Sequence, residues 1–129
     1  MATLTSKITL TSTDATSDTL SMSVSKDITV GPPAVGISKV AINAGGGADT
    51  VLVASSAGNK YVYVKHTGYA ADGTTATSNE VIVEFGGTDS IRLSTEEWAF
   101  FPAKASTVVE AVSNHTSTIL VEYAYWTAA

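Results

Sequence analysis

The amino-acid sequence predicts an all-β protein, an antiparallel β-sandwich or small barrel formed by a single domain of residues 1–129. Short apolar runs rich in Val, Ile, Thr and aromatic residues recur along the chain, which is typical of strands. Turn-forming residues interrupt these runs about every eight to twelve positions, so about nine or ten short strands are expected. The one helical signal, residues 94–97, resembles a capping box, and we interpret it as a turn.

Residues 1–30 predict a hairpin of two strands. It is either part of the main domain, which the alternation of the two strands favours, or an N-terminal arm that contacts a neighbouring subunit. Leu4, Ile8 and Leu10 stand at even-numbered positions and would point to one face of a strand. The Thr and Lys residues between them stand at odd-numbered positions and would point to the other face. Residues 20–30 repeat this alternation after a polar turn at 13–18, so each strand has one apolar face. Gly31 and the two prolines that follow should end the second strand, because proline cannot donate to a ladder.

Residues 36–44 and 49–55 predict two further strands, joined by the glycine run 45–47. Residues 44–49 resemble one turn of the calcium-binding repeats of β-roll proteins, although Ala44 stands where the first glycine belongs. Such sites are built by stacking repeats, and this stretch occurs once. We therefore interpret it as a flexible hairpin loop.

Most of the bulky side chains lie in residues 59–103, which we predict to be the organising core. The runs NKYVYVKHTG, EVIVEFGG and SIRLSTEEWAFFPA are typical of consecutive antiparallel strands, with a polar loop at 68–79 between the first two. A final pair is expected at 107–113 and 118–126. We expect the aromatic side chains of the organising segment to fill the inside of the sandwich: Tyr61, Tyr63, Phe85, Trp98, Phe100 and Phe101.

Composition and charge argue against several classes of partner. The net charge is −5, and the seven basic residues are scattered singly, so no nucleic-acid surface is expected. There is no cysteine, which excludes disulfides and thiolate metal sites. No stretch approaches the ~18 apolar residues of a membrane span, and no signal peptide is visible, so we expect a soluble protein made in the cytoplasm without a membrane partner.

No catalytic, cofactor-binding or metal-ligating residues are predicted, so we expect a protein that is not an enzyme. His66 and His115, the only histidines, lack metal-ligand spacing and are interpreted as surface or loop residues. No G-x-S-x-G elbow singles out a serine. Glu80 and Glu84 share one strand face, which we interpret as solvated.

The whole chain resembles small all-β structural proteins of tailed bacteriophage virions, especially head decoration or cement proteins. The residues that carry the resemblance are the Ser/Thr-rich opening LTSKITLTSTDATSDTLSMSVS, the central NKYVYVKHTG and the segment EVIVEFGGTDSIRLSTEEWAFFP. The resemblance implies a jelly-roll-like sandwich of about eight to ten strands. It also implies a virion structural protein on the capsid surface, a homo-oligomer with a trimer favoured, which binds the major capsid protein and stabilises the head shell.

Such a subunit would make its contacts through edge strands, loops and the C-terminal aromatic run. The interface residues we predict are Leu4, Ile8, Leu10, Tyr69, Tyr123, Tyr125 and Trp126. The main alternative is a tail- or fibre-associated module that binds a receptor or glycan, with Tyr123, Tyr125 and Trp126 as its aromatic platform. A small cupin-like hydrolase or isomerase is a third possibility, and it would require a metal.

Overall fold

The chain folds into β-strands throughout. A computed structural model describes residues 1–31 and 36–129, and these contain ten strands and no helix. In chain order they are β1 (Ala2–Ser12), β2 (Leu20–Val30), β3 (Ser38–Ile42), β4 (Thr50–Val53), β5 (Lys60–Ala70), β6 (Val81–Phe85), β7 (Thr88–Leu93), β8 (Trp98–Ala103), β9 (Val109–Ser113) and β10 (Ile119–Thr127). The all-β prediction is confirmed. The predicted proline stop lies outside the described residues.

Eight strands form a β-sandwich of two four-stranded sheets, with the orders β3-β10-β5-β8 and β4-β9-β6-β7. Every pairing in both sheets is antiparallel. The pairing is nested along the chain, because β3 pairs with β10, β4 with β9, β5 with β8, and β6 with β7. Within the sandwich, β6 and β7 are the one pair of consecutive strands that are hydrogen-bonded to each other, so the other connections pass from one sheet to the other.

The glycine run 45–47 is one of these crossings, so its interpretation as a hairpin loop was wrong. β3 and β4 lie in different sheets, and so do β9 and β10, which the sequence also suggested as a pair. The two crossings pack together at one end of the sandwich. The Gly45 N–H donates to the His115 carbonyl at 2.6 Å, and a Cβ at position 45 would lie 2.9 Å from the Ser113 carbonyl oxygen.

The hydrophobic core lies between the two sheets. Val62 and Val64 of β5 are fully buried, and Val83 of β6 is buried opposite them in the other sheet. Phe85 and Phe101 pack against this core and contact each other, with ring centroids 5.2 Å apart. The expected aromatic core is therefore confirmed for Phe85 and Phe101.

The other aromatic residues of the organising segment do not fill the sandwich. Because side chains alternate along a strand, Tyr61 and Tyr63 project from the face of β5 opposite the buried valines. Trp98 and Phe100 do the same on β8, and Trp98 is 53% exposed. The prediction that these four side chains form the inside of the sandwich was wrong, since Val62, Val64 and Phe101 occupy the inward positions of the same strands.

The first two strands form the predicted antiparallel hairpin, but this hairpin is a two-stranded sheet of its own, outside both sheets of the sandwich. β1 and β2 pair over all eleven residues of each strand, a length of about 35 Å. The hairpin is joined to the sandwich at its base, where the Gly31 N–H donates to the Thr127 carbonyl at 2.8 Å and Val30 bridges Ala128. The described residues contain no helix long and apolar enough to cross a membrane.

Candidate functional site

An open apolar groove of about 350 Å³ lies between the hairpin and the outer face of the β3-β10-β5-β8 sheet. Hairpin residues form one wall, and aromatic residues of β5, β8 and β10 form the other. The lining residues are Leu4, Thr5, Ser6, Lys7, Ile8, Val24, Ser25, Lys26, Ile37, Tyr63, Trp98, Phe100 and Trp126. We call this feature the apolar groove. Part of its lining is open to water, since Trp98 is 53% exposed and Val24 is 55% exposed, so the groove is a candidate binding surface.

The aromatic wall follows from the register of three strands. Tyr63 of β5 lies between Ala124 of β10 and Phe100 of β8, and Trp126 lies opposite Tyr61 in the next row. Tyr61 and Phe100 stack with nearly parallel rings, 6° apart in plane and 6.3 Å between centroids. These cross-strand contacts pack neighbouring rings against one another along the wall.

Tyr63 is further held by a polar contact beside the groove. Its hydroxyl donates to the Glu122 carboxylate at 2.9 Å. Burial, followed by this hydrogen bond and the negative charge of Glu122, raises the pKa of Tyr63 to about 12. The phenol therefore remains protonated across the physiological pH range and acts as a fixed donor.

The hairpin wall has an apolar face that is covered only near its base. Its register places Ile8 opposite Val24 and Leu10 opposite Met22, all on the same face. Ile28 and Val30 at the base are buried, whereas Val24 is 55% exposed and Leu10 is 48% exposed. The opposite face consists of Ser, Thr, Lys and Asp side chains, so the hairpin is amphipathic, although the Ser6–Lys26 pair interrupts its apolar face.

The chemistry of the groove suits binding. Its described lining offers hydroxyl groups and two lysines beside the aromatic rings, but neither a histidine nor a carboxylate. Carboxylates lie beside the lining, because Asp27 accepts a hydrogen bond from the Thr5 hydroxyl and Glu122 accepts one from the Tyr63 hydroxyl. An apolar wall with a few polar groups at its edge is typical of a protein interface.

The predicted interface residues fall in three different places. Leu4, Ile8 and Trp126 line the apolar groove, and Leu10 continues the same hairpin face toward its tip. Tyr69 is exposed near the end of β5, away from the groove lining.

Tyr123 and Tyr125 pack against the hydrophobic core. Because Trp126 points to the opposite face of β10, these three side chains do not form one aromatic platform, and that prediction was wrong. The exposed ring beside Trp126 in the groove is Trp98. The sequence indicates that Trp98 and Phe100 share one face of β8, because they are two residues apart. It does not show which face of β8 the other sheet covers.

His66 is buried in the sandwich, so the interpretation of it as a surface residue was wrong. Its side chain is fully buried on β5, on the same face as Val62 and Val64. Its Nδ1 accepts the Gly68 N–H at 2.9 Å, and its Nε2 lies 2.7 Å from the Asn79 carbonyl oxygen. Since a carbonyl only accepts, Nε2 carries the proton, and both ring nitrogens are satisfied. His115, by contrast, is exposed as expected.

A second unusual site lies on the outer face of the other sheet. Asp49, Glu84 and Glu110 offer carboxylate oxygens that all lie within 4.8 Å of one another. Asp89 joins them, because it is paired with Glu84 across β6 and β7. Hydrogen bonding with Asp89 and burial, together with Asp49, raise the pKa of Glu84 to about 7. We call these four residues the acidic cluster.

The prediction of a solvated face for Glu80 and Glu84 was wrong for Glu84, which is only 7% exposed. Glu80 is half-buried and forms a salt bridge with Arg92 at 2.7 Å. The acidic cluster was not predicted because its members come from three separate stretches of chain: residue 49, the β6–β7 hairpin and residue 110. Local spacing carries no signal for such a group.

Comparison of the chain with models of protein families, with curated proteins and with solved structures finds no match to any of them.

Proposed function

We propose that the protein is a non-catalytic structural subunit of a virion, which decorates the capsid surface by binding the major capsid protein. The observation that carries this proposal is the β1–β2 hairpin, whose apolar face is left in water over its outer half. A two-stranded hairpin is at best marginally stable by itself. Such an arm gains stability when a neighbouring subunit covers its apolar face, and this is how an assembling protein is held in a lattice.

The fold and the groove support the same proposal. The nested pairing of the eight sandwich strands is the pairing expected of a jelly roll, an architecture used by viral capsid proteins. The apolar groove places Trp98 and Trp126 beside the hairpin, and Trp is enriched in the centres of protein interfaces. The hairpin and the groove together form one continuous surface for a neighbouring copy in a homo-oligomer, for which we favour a trimer, and for the capsid protein.

The contribution of a hairpin side chain to the binding free energy follows from the exposed area that a partner would cover. Val24 is 55% exposed, and Val51 on β4 in the other sheet is 51% exposed, so the two are matched in type and accessibility. Covering the exposed part of Val24 removes roughly 90 Å² from water, which at about 25 cal/mol per Å² contributes about 2 kcal/mol, or about thirty-fold in affinity.

The experiment measures co-sedimentation of purified protein with undecorated capsids, together with its mass in solution by light scattering. Val24→Ser should weaken capsid binding by up to about thirty-fold, while Val51→Ser should bind like the unaltered protein. The double variant Ile8→Ser/Val24→Ser should bind capsids more weakly than Val24→Ser alone. Equal binding by the two valine variants, or immunogold labelling confined to the tail, would refute the proposal.

The second candidate function is glycan or receptor binding by a tail or fibre module. Trp98 favours it, since an exposed indole in a preformed groove can stack on a sugar ring. A glycan array distinguishes the two functions. Binding that is lost with Trp98→Ala but retained with Val24→Ser would support the glycan module and argue against the decoration protein.

A further inference from the structure

The acidic cluster contains a buried carboxylate oxygen with no protein partner. Glu84 is only 7% exposed, and its Oε2 accepts no hydrogen bond from any described residue. A buried, unpartnered charge is strongly unfavourable unless something compensates it. The side chains around Glu84 increase this unfavourable free energy.

The residues paired with Glu84 on both neighbouring strands are carboxylates. Glu110 lies directly opposite it on β9, and Asp89 is paired with it on β7. Like charges that face each other across strands are destabilising. Ile82 and Val112 flank the depression in which the cluster lies, and its described lining contains neither lysine nor arginine. The single salt bridge found among residues 1–31 and 36–129 joins Glu80 to Arg92 and leaves the cluster without a counter-charge.

We propose that Asp49, Glu84, Asp89 and Glu110 form a binding site for a divalent metal ion, and that the ion is calcium. Three of the four carboxylates already bring oxygens within 4.8 Å of one another, a spacing that one ion can bridge at Ca–O distances of about 2.4 Å. The unpartnered Oε2 of Glu84 is the buried ligand, and the exposed carboxylate of Asp49 lies on the solvent side.

The donor set selects the type of ion. It consists of oxygens alone, without the imidazole or thiolate groups that favour zinc, copper or nickel. The site is also irregular, because the register of β6 and β7 shifts between Val83 and Glu84. Calcium accepts six to eight oxygens in variable geometry, whereas magnesium requires a near-ideal octahedron. The open depression beside Gly46 and Gly47 leaves room for water to complete the coordination shell.

The site is independent of the proposed function, because it lies on the sheet opposite the apolar groove. A calcium ion here would tie together β6, β7, β9 and the chain that enters β4, and would stabilise the folded protein in proportion to its occupancy.

The experiment uses the full chain, first treated with a chelator and dialysed. Thermal unfolding is followed with calcium chloride, magnesium chloride, or sodium chloride of equal ionic strength, and calcium binding is measured by calorimetry. We expect saturable binding of about one calcium per chain and a Tm rise of at least about 5 °C at a hundred-fold excess over Kd. Magnesium should raise the Tm less.

The variants separate the site from general charge effects. Glu84→Gln should abolish the calcium-dependent rise in Tm while still folding, because it relieves like-charge repulsion. Glu122→Gln, a strand glutamate on the other sheet, should retain the full rise. The proposal is overturned if calcium acts no differently from sodium chloride, which would leave a protonated cluster as the explanation. Retention of the rise in Glu84→Gln would also overturn it, and a magnesium effect equal to that of calcium would overturn the choice of ion.

Discussion

The two histidines of this chain allow a sharp test of the sandwich core. His66 is fully buried, with one ring nitrogen bonded to the Gly68 N–H and the other to the Asn79 carbonyl, whereas His115 is exposed in the turn after β9. His66→Ala removes both hydrogen bonds and leaves a cavity in the space of the imidazole ring. His115→Ala removes a ring of the same size from the surface. The two substitutions are chemically identical, so any difference between them reports the environment.

The expected loss in the free energy of unfolding is the sum of the lost hydrogen bonds of His66 and the cavity left by its ring. Leaving one buried donor and one acceptor unpaired costs about 1–3 kcal/mol for each group, and the cavity adds to this. We therefore expect His66→Ala to lower the free energy of unfolding by about 4 kcal/mol, against less than about 0.5 kcal/mol for His115→Ala. With a urea m-value of about 2 kcal/mol per M, the midpoint should fall by about 2 M.

The assay is equilibrium unfolding in urea, followed by the fluorescence of Trp98 and Trp126. His66→Asn provides a milder variant in case His66→Ala does not fold, because the asparagine carbonyl oxygen can replace Nδ1 as the acceptor for the Gly68 N–H. Its stability should lie between those of the unaltered protein and His66→Ala. A loss below about 1 kcal/mol for His66→Ala, or a loss equal to that of His115→Ala, would show that His66 is not the buried, doubly bonded residue described above.

Two further predictions concern loops. Asp72 accepts hydrogen bonds from the Thr75 hydroxyl and from the amides of Thr75 and Thr74, which lower its pKa to about 2, below its ordinary value of 3.8. Its stabilising effect is therefore present above pH 3.8 and is lost as the pH falls through about 2. An NMR titration of its carboxyl carbon with a midpoint near 3.8 would contradict this. Gly45→Ala should destabilise the fold by about 1–3 kcal/mol, because its Cβ would press on a backbone carbonyl. Gly36→Ala, whose Cβ would meet no atom of the described residues within 4 Å, should be nearly neutral in the same urea assay.

The sequence predicted the strands well because their signal is local. Alternation of apolar and polar residues identified both strands of the hairpin, and it placed Tyr123 and Tyr125 on the same face as Val121. It did not reveal which face would be covered. Trp98 and Phe100 were therefore assigned to the interior, although Ala99 and Phe101 hold the inward positions of β8.

The candidate sites were predicted only in part, for the same reason. Leu4, Ile8 and Trp126 were predicted to be interface residues, and the structure places them in the lining of the groove. Trp98, the most exposed ring of the groove, was missed because the position of the hairpin over the sheet depends on long-range pairing at its base. Asp49 and Glu110 were missed because no local spacing connects them to Glu84.

By itself, the sequence determined that this protein is made of strands, that its first thirty residues form a two-faced hairpin, and that no cysteine chemistry is present. These properties depend on the alternation of apolar and polar side chains and on composition, both of which are local features of the sequence. The tertiary structure alone decided which strands share a sheet, because nested pairing such as that of β3 with β10 joins residues far apart in sequence. It also decided that His66 is buried and that four carboxylates meet on one face, since burial and charge crowding exist only after distant strands have come together.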